Sequence, residues 1–355
     1  MIKEYIYEAS TKIKKYLDDY FLDKRKVLEG INQRWGKHIG DSFLDFAKQG
    51  KMVRGGLVVL GYQTFGRQPV SHNVIKAAAA MEIMHSSLLI HDDIMDNDTI
   101  RRGQPTMHHY YTSIGKREKL SHPEQFGLSA GICLGDIGFF LSQEIIGRIK
   151  VDYAKHIKLN SFFVNEVIKV GSAQLYEMFN TISPKVITRD EVFAVYLHKT
   201  ARYTFSLPLM LGAMLAGTSK EGIKKLEKLG ELMGLVFQFQ DDILGMFGQE
   251  KTLGKNVGSD MRERKKTLFY LEIFGKRKYH HQKKLQQLFT KKRITKSDIR
   301  LAQELIIASG IFDVVKSQQQ AYSRRAAKII KSFDVSAKTR NLYQELLEYN
   351  LNRTK

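Results

Sequence analysis

Apolar residues recur along most of this chain at intervals of three and four, the period of a helix that buries one face. Ile2, Tyr5, Ile6, Ile13 and Leu17 fall on one stripe. Val27, Ile31, Trp35 and Ile39 fall on a second, which runs on to Phe43, Leu44 and Phe46. The two stripes predict two amphipathic helices over residues 1–49. The stretch GKMVRGG (50–56) breaks the pattern, and LVVLGYQTF opens a new apolar helix. Over residues 72–98, Val74, Ala77, Ala78, Met81, Met84, Leu88 and Leu89 surround the helix widely, which predicts a buried element. Residues 99–122 read as loop, with Gly103 and Pro105 as turn signals. Residues 125–149, 152–180, 188–217 and 221–248 read as apolar helices, and 262–355 as three or four basic surface helices. Ser297 and Asp298 are the expected cap of the second of these. There is no β-alternation of useful length, and only 5 prolines occur. The expected architecture is a single all-α domain over residues 1–355, its core at about 30–275 and the basic helices of 276–355 packed on the same domain.

Composition adds bounds. A chain of 355 residues with 43% hydrophobic and 26% charged residues has ample material for a core. Cys133 is the only cysteine, so no internal disulfide can form. The opening stretch is amphipathic and charged, without the apolar centre of a signal peptide. The expected location is therefore cytoplasmic. No run of about 18 apolar residues stands out, so no transmembrane helix is expected. The formal net charge is +20, and residues 251–355 hold 25 Lys/Arg against 9 Asp/Glu. Such a surface can meet nucleic acid or anionic lipid, or draw in an anionic substrate. It is read here as a solubilising surface, with no nucleic-acid partner expected.

The chemistry concentrates at one helix end. Asp92, Asp93, Asp96 and Asp98 lie within seven positions, and Arg101 and Arg102 follow. On a helix, Asp92 and Asp96 are i,i+4 and Asp93 and Asp96 are i,i+3, so at least three carboxylates share a side. Hard oxygen ligands on one face suit Mg²⁺, which keeps waters and takes substrate phosphate oxygens. The arginines suit the remainder of a diphosphate. Asp241 and Asp242 end a second long apolar helix in the same way, ahead of a glycine-containing loop with Lys255, Asp260, Lys265 and Lys266. Lys51 and Arg54 lie three apart at a helix start, a plausible anion site. His85 sits two turns before Asp92 on nearly the same side. Lys199 and Thr200 interrupt an apolar stripe. Two acidic helix ends and three basic elements facing one apolar cavity would hold a charged diphosphate head and a hydrocarbon tail.

In this order the motifs resemble those of the trans-isoprenyl diphosphate synthases, the polyprenyl synthetase family, over roughly residues 30–350. GKMVR resembles the family's GKxxR. HDDIMDNDTIRRG resembles its first aspartate-rich motif. Gln174, Lys199–Thr200, FQFQDD and GKNVGSDMRERKKT follow in sequence. The resemblance implies an isoprenoid synthase fold and a head-to-tail condensation that releases diphosphate. It implies that Asp92, Asp96 and Asp241 bind Mg²⁺, three ions per site with Mn²⁺ as a substitute, and that Asp93 belongs to the catalytic set. Arg101, Lys199, Thr200, Gln238, Lys255 and Lys265 would bind the allylic diphosphate. Lys51, Arg54, His85 and Arg102 would bind isopentenyl diphosphate. Thr200 and Gln238 would face the developing allylic cation, and the chain would pair as a homodimer.

Two departures from the family stand out. Gly245 replaces the third aspartate of the second motif, which implies altered metal affinity, and Gly55 replaces a proline, which is expected to affect the helix start and not charge. The resemblance also places the product ruler on the helix before Asp92. Ser87, Met84 and Leu88 are its candidates, and a small Ser87 favours a product of twenty carbons or somewhat more over fifteen. A class I terpene cyclase would need a serine or threonine at 245 and a glutamate at 249, where Gly245 and Gln249 stand. A metal phosphohydrolase using His91–Asp92 with His85, His108 or His109 would leave the arginines and the second aspartate pair idle. A non-enzymatic basic binding protein would have no need of the aspartates.

Overall fold

The computed structural model describes residues 1–66, 68–248 and 258–354, with the side chain of Ser259 outside this set. The described residues are helical almost throughout, as expected. The exception is a hairpin of two-residue strands, Ile100–Arg101 (β1) and Gln104–Pro105 (β2). The chain resolves into two compact units, residues 1–161 with 208–218, and residues 162–207 with 219–355.

The first unit is built around α4 (His72–Met95). Its middle carries Ala77–Ala80 and Met81, all fully buried. Small side chains let neighbouring helices approach from several sides. α1 (Ile2–Glu29), α3 (Val53–Phe65) and α6 (Pro123–Gly147) pack against it. α2 (Gln33–Lys48) and α5 (Met107–Arg117) complete the surround. α3 also meets α9 (Leu207–Ala216) backbone to backbone. A Cβ added at Gly61 would lie 2.1 Å from the Leu209 carbonyl, and one at Gly212 2.0 Å from that of Val58.

Three sequence expectations change in this unit. The second apolar stripe does not begin at Val27. That residue belongs to the end of α1 and is 64% exposed, while Ile31 is 90% exposed in the break between helices. Asn32 starts α2 by accepting a hydrogen bond from the Trp35 amide, 3.0 Å. Residues 99–122 are not loop alone, since they hold the hairpin and α5. α6 is the one helix among the described residues long and apolar enough to meet the measures of a membrane span, with mean hydropathy 1.3. The sequence reading passed over it because glycines, Asp136 and Glu144 dilute the run. One face packs on α4 and α5, so length and composition alone do not make it a span.

The second unit is organised by α10 (Lys220–Phe247) and an 11-residue π-helix, Tyr196–Ser206, which follows α8 (Arg189–Val195). The last stretch of α7 (Tyr153–Ile182) belongs to this unit. Glycines again permit close approach, since a Cβ at Gly234 would lie 2.2 Å from Ala201 Cα. A single turn at Ser259–Arg262 precedes α11 (Leu268–Phe274), α12 (Gln282–Phe289), α13 (Lys296–Ala308), α14 (Ile311–Lys331) and α15 (Ala337–Asn352). α14 and α15 pack on α10. Leu235, Phe239, Leu268, Leu285, Ile306 and Val315 form part of the core, and full burial of such a side chain contributes roughly 1.5–3 kcal/mol. The cap expected at Ser297 sits two residues earlier. Thr295 and Asp298 form a reciprocal capping box, which outcompetes a lone serine by satisfying two backbone donors.

Arg202 ties the π-helix down. Its guanidinium, 9% exposed, meets Glu166 on α7 at 2.9 Å and Glu227 and Glu231 on α10 at 2.8 Å. The carboxylates hold the guanidinium protonated well above its ordinary range, against the cost of burial. Arg202→Ala leaves the buried Glu166 with Lys169 alone, and removing one partner of a buried ion pair costs up to about 3–5 kcal/mol. Urea unfolding followed by circular dichroism should show a loss of that order.

Candidate active site

The two aspartate pairs adopt one arrangement. At the end of α4, Asp92 keeps part of its surface in solvent while Asp93 is fully buried. Asp93 turns inward to accept a hydrogen bond from Arg101 Nε, and its Oδ2 is buried without a partner. Burial pushes its carboxyl up to about 6, against the pull of Arg101. At the end of α10, Asp241 is 41% exposed along its side chain, and Asp242 is buried. Asp242 accepts hydrogen bonds from the Tyr196 hydroxyl, from Gln238 Nε2 at 3.0 Å and from the Leu268 amide at 3.2 Å. Burial pushes Asp242 up to about 8, with Asp260 adding to it. In each pair one carboxylate keeps contact with solvent, and the other is buried and hydrogen-bonded at its helix end. Asp96, at the C-cap of α4, is exposed, and Asp98 is half-buried.

The hairpin turn divides the two arginines. Arg102 and Gly103 both have positive φ, 54° and 77°, as a two-residue type I′ turn requires. Arg101, before the turn, stays with the aspartates, bonding Asp93 and lying 3.6 Å from Asp98. Arg102 turns the other way, its guanidinium against Gly50, where an added Cβ would lie 3.4 Å from both Nη atoms. Lys51 is exposed beside it in sequence. Arg54 Nη1 lies 3.0 Å from His85 Nε2. Burial, with Arg54, Arg102 and Arg101 around it, holds the imidazole well below its usual value, so neutral His85 accepts this bond.

In the second unit, the π-helix carries Lys199 and Thr200, both half-buried, and Lys199 pairs with Glu177 of α7. Irregular helical turns of this kind concentrate at functional sites. Gln174 is half-buried on α7, and Gln238 is held by Asp242. Lys265 Nζ pairs with Glu263 at 2.8 Å. Lys266 donates to the carbonyls of Ser183 and Lys185, which makes it a brace between segments. Lys255 lies outside the described residues.

The ruler candidates occupy different surroundings. Leu88 is half-buried one turn below Asp92, and Met84, one turn further, is fully buried. Ser87 faces α6. Its hydroxyl donates to Ile83 O at 3.0 Å, and a Cβ added at Gly138 would meet its Oγ at 2.1 Å and the Phe43 ring at 2.4 Å. The room beside Ser87 is filled by Phe43 and α6. His91 also turns into α6, its Nε2 3.2 Å from Ile132 O and 3.5 Å from Asp136, which leaves the phosphohydrolase reading without its histidine.

Residues 37–306 match the sequence pattern of the family described as polyprenyl synthetase. The chain belongs to the polyprenyl synthetase family. Its relatives include a geranylgeranyl diphosphate synthase of Saccharolobus solfataricus, 30% identical over 95% of this chain and 99% of the relative. A geranylfarnesyl diphosphate synthase of Aeropyrum pernix is 29% identical over 86% and 91%. Among solved structures, a geranylgeranyl pyrophosphate synthase from Corynebacterium glutamicum, complexed with isoprenyl diphosphate and magnesium, shares the fold. Its TM-score is 0.87 at 24% identity, covering 98% of this chain and 99% of that one. As a polyprenyl synthetase the chain is a trans-prenyltransferase.

The carboxylates suit the metal that the synthetase family implies. Asp92, Asp96 and Asp241 offer hard, acceptor-only oxygens in water. Among the described residues no three His, Cys, Asp or Glu side chains converge to cage an ion by themselves.

Two residues of the site escaped the sequence reading. Glu82, 3% exposed on α4, accepts a 2.6 Å hydrogen bond from the Gly55 amide, and the charges of Arg54 and Arg102 bear on it. The change from proline at 55 therefore reaches charge as well as the helix start, because proline has no N–H to give. The second is Arg353, just past α15. Its guanidinium pairs with Asp241, lies 3.7 Å from the Phe237 ring centroid and is 9% exposed. Gln240 holds its carbonyl at 2.9 Å, and Gln319 holds Gln240 at 3.0 Å. No local pattern signals either residue, since every partner is distant in sequence.

Gly55→Pro should lower the melting temperature, read by circular dichroism, because Glu82 loses the Gly55 amide as a donor and an added Cβ lies 2.6 Å from Ile13. A cation that binds Asp241 meets the positive charge of Arg353, which pairs with its Oδ1. Arg353→Gln should therefore tighten Mn²⁺ binding by the substrate-free chain about three- to tenfold, read by calorimetry.

Proposed function

We propose that this prenyltransferase condenses isopentenyl diphosphate head-to-tail with dimethylallyl, geranyl or farnesyl diphosphate and ends at twenty-carbon geranylgeranyl diphosphate. The observation that carries the reading is the turn at Arg102–Gly103. Arg101 stays with the aspartates while Arg102 lies against Gly50 with Arg54 and Glu82 near, a division that supports a reaction with two diphosphates. On this reading Lys51, Arg54, His85 and Arg102 hold isopentenyl diphosphate. Arg101, Lys199, Thr200, Gln238, Lys255 and Lys265 hold the allylic diphosphate. Asp92, Asp96 and Asp241 would hold Mg²⁺, three ions with Mn²⁺ as a substitute. When bound, Mg²⁺ supplies positive charge to the departing diphosphate, where such stabilisation lowers the barrier most. Neutral His85 keeps Arg54 aimed without adding a charge of its own. Thr200 and Gln238 present dipoles to the developing allylic cation.

The names of the relatives from Saccharolobus solfataricus and Methanosarcina mazei, both geranylgeranyl diphosphate synthases, support twenty carbons. A twenty-five-carbon product is the second reading. It is favoured by the aliphatic character of Leu88 and Met84 below Asp92 and by the Aeropyrum pernix relative. A cytoplasmic homodimer completes the proposal. Leu128, Ile132 and Phe140, 38%, 49% and 77% exposed, give α6 an apolar outer surface suited to a second copy.

Incubation of the purified chain with isopentenyl diphosphate and each allylic primer, followed by mass analysis, should give the twenty-carbon product. Arrest at fifteen carbons from dimethylallyl diphosphate would reject it. Leu88→Phe should shorten the product and Leu88→Ala lengthen it. Ser87→Phe should instead cost stability, about 1–3 kcal/mol for an overpacked position.

A further inference from the structure

Residues 276–300 hold ten lysines and arginines and a single acid, Asp298. All ten cations are exposed, and the acid is buried. Asp298 is engaged at its own helix start, where it accepts from the Thr295 amide at 3.0 Å and pairs with Lys291. Lys276, Lys278, Lys283, Lys284, Lys292 and Arg293 reach solvent without an ion pair among the described residues.

The fold gathers these charges. α12 turns Leu285, Leu288 and Phe289 into the core and leaves Lys283, Lys284 and Gln287 in solvent. Its eight residues span about 12 Å. At one end, Gln282 holds down the turn that carries Lys276–Lys278, its Nε2 donating to the carbonyls of Ile273 at 2.9 Å and Arg277 at 3.2 Å. At the other end, Arg264 donates to the Lys291 carbonyl at 3.3 Å and adds one more exposed cation. The screening length at physiological salt is about 8 Å, so the fields of the two ends overlap. Nearby acids do not cancel them. Glu263 pairs with Lys265 at 2.8 Å, and Glu272 takes the Tyr279 hydroxyl. Glu304 and Asp313 are exposed, the latter lining a shallow cavity with Arg277. With these and Lys265 included, twelve cations stand against five acids.

We propose that this surface docks the chain peripherally on an anionic lipid bilayer. Seven of the ten cations are lysines. Lysine acts as a point charge, which suits a diffuse negative surface, whereas arginine is the residue of bidentate phosphate recognition. Clusters of four to eight such charges are what anionic headgroups attract. Single-stranded nucleic acid would ask for rings free to stack on bases. The rings here are otherwise engaged. Tyr279 lies under Arg277, 5.1 Å from its centroid, Phe289 is buried, and His280 and His281 lie against each other at 3.9 Å.

The test is co-sedimentation of the purified full chain with vesicles of phosphatidylcholine, alone or with about 30% phosphatidylserine, at about 0.15 M and about 0.5 M salt. Binding is expected to the anionic vesicles alone and should fall at the higher salt. The combined variant Lys276→Gln, Lys278→Gln, Lys283→Gln and Lys284→Gln should weaken it by about 100-fold or more, since each lysine near such a surface contributes roughly fivefold. All four positions are exposed, and circular dichroism with the melting temperature confirms the fold. A control variant, Lys3→Gln, Lys12→Gln, Lys15→Gln and Lys26→Gln, removes the same charge from exposed positions of α1 and should bind as the wild type does. No binding to the anionic vesicles at the lower salt overturns the proposal. Equal losses in the two variants overturn it as well, because binding would then follow net charge and not this face. Absent vesicle binding with tight binding of a fluorescent uridine homopolymer, lost in the first variant alone, assigns the face to nucleic acid and overturns it too. None of these measurements depends on turnover.

Discussion

Two adjacent carboxylates at a helix end repel each other and the carbonyl end of the helix dipole, yet this molecule places such a pair at two helix ends. The repulsion is met by burying one member of each pair under hydrogen bonds. Asp93 is tied to Arg101, and Asp242 to Tyr196, Gln238 and the Leu268 amide. These bonds do more than neutralise. Arg101 links α4 to the hairpin, and Asp242 joins α10 to the π-helix and to α11. The outward aspartates are consequently carried on helix ends that cannot fray without exposing a buried acid. The exposed carboxylates are thus positioned by buried ones.

The hairpin shows how little backbone is needed to send two adjacent arginines to different partners. Adjacent residues with positive φ reverse the chain at once, and Arg102 departs from the side held by Arg101. Glu82 serves the Arg102 side, as a buried acid among Arg54, Arg102 and the Gly55 amide. Without it, two guanidinium groups would face each other across a helix start with no compensating charge. The glycine at 55 and the acid at 82 are best understood as one unit.

Helical periodicity made most of the elements legible in the sequence, because long amphipathic and buried helices leave a pattern spread over many positions. The ordered motifs made the family legible, because the chemistry needs particular residue types at short spacing. What stayed hidden depends on partners far apart in the chain. Val27 and Ile31 fit a helical stripe in sequence, but the stripe crosses a helix break and the residues end in solvent. Ser87 appears roomy by its own size, whereas Phe43 and Gly138 decide how much space it has. Arg353 is one basic residue among many until α15 delivers it to Asp241. The hairpin was invisible because two-residue strands are too short to show alternation.

The π-helix has a consequence for how related sequences are compared. Its bonds reach five residues back, so each turn takes up more chain than an α-helical turn. Over Tyr196–Ser206 side chains four apart do not stack, and a stripe counted at the α-helical period drifts out of phase with the structure. A gap-free alignment with a chain that is α-helical here would match residue names while rotating Lys199 and Thr200 onto other faces.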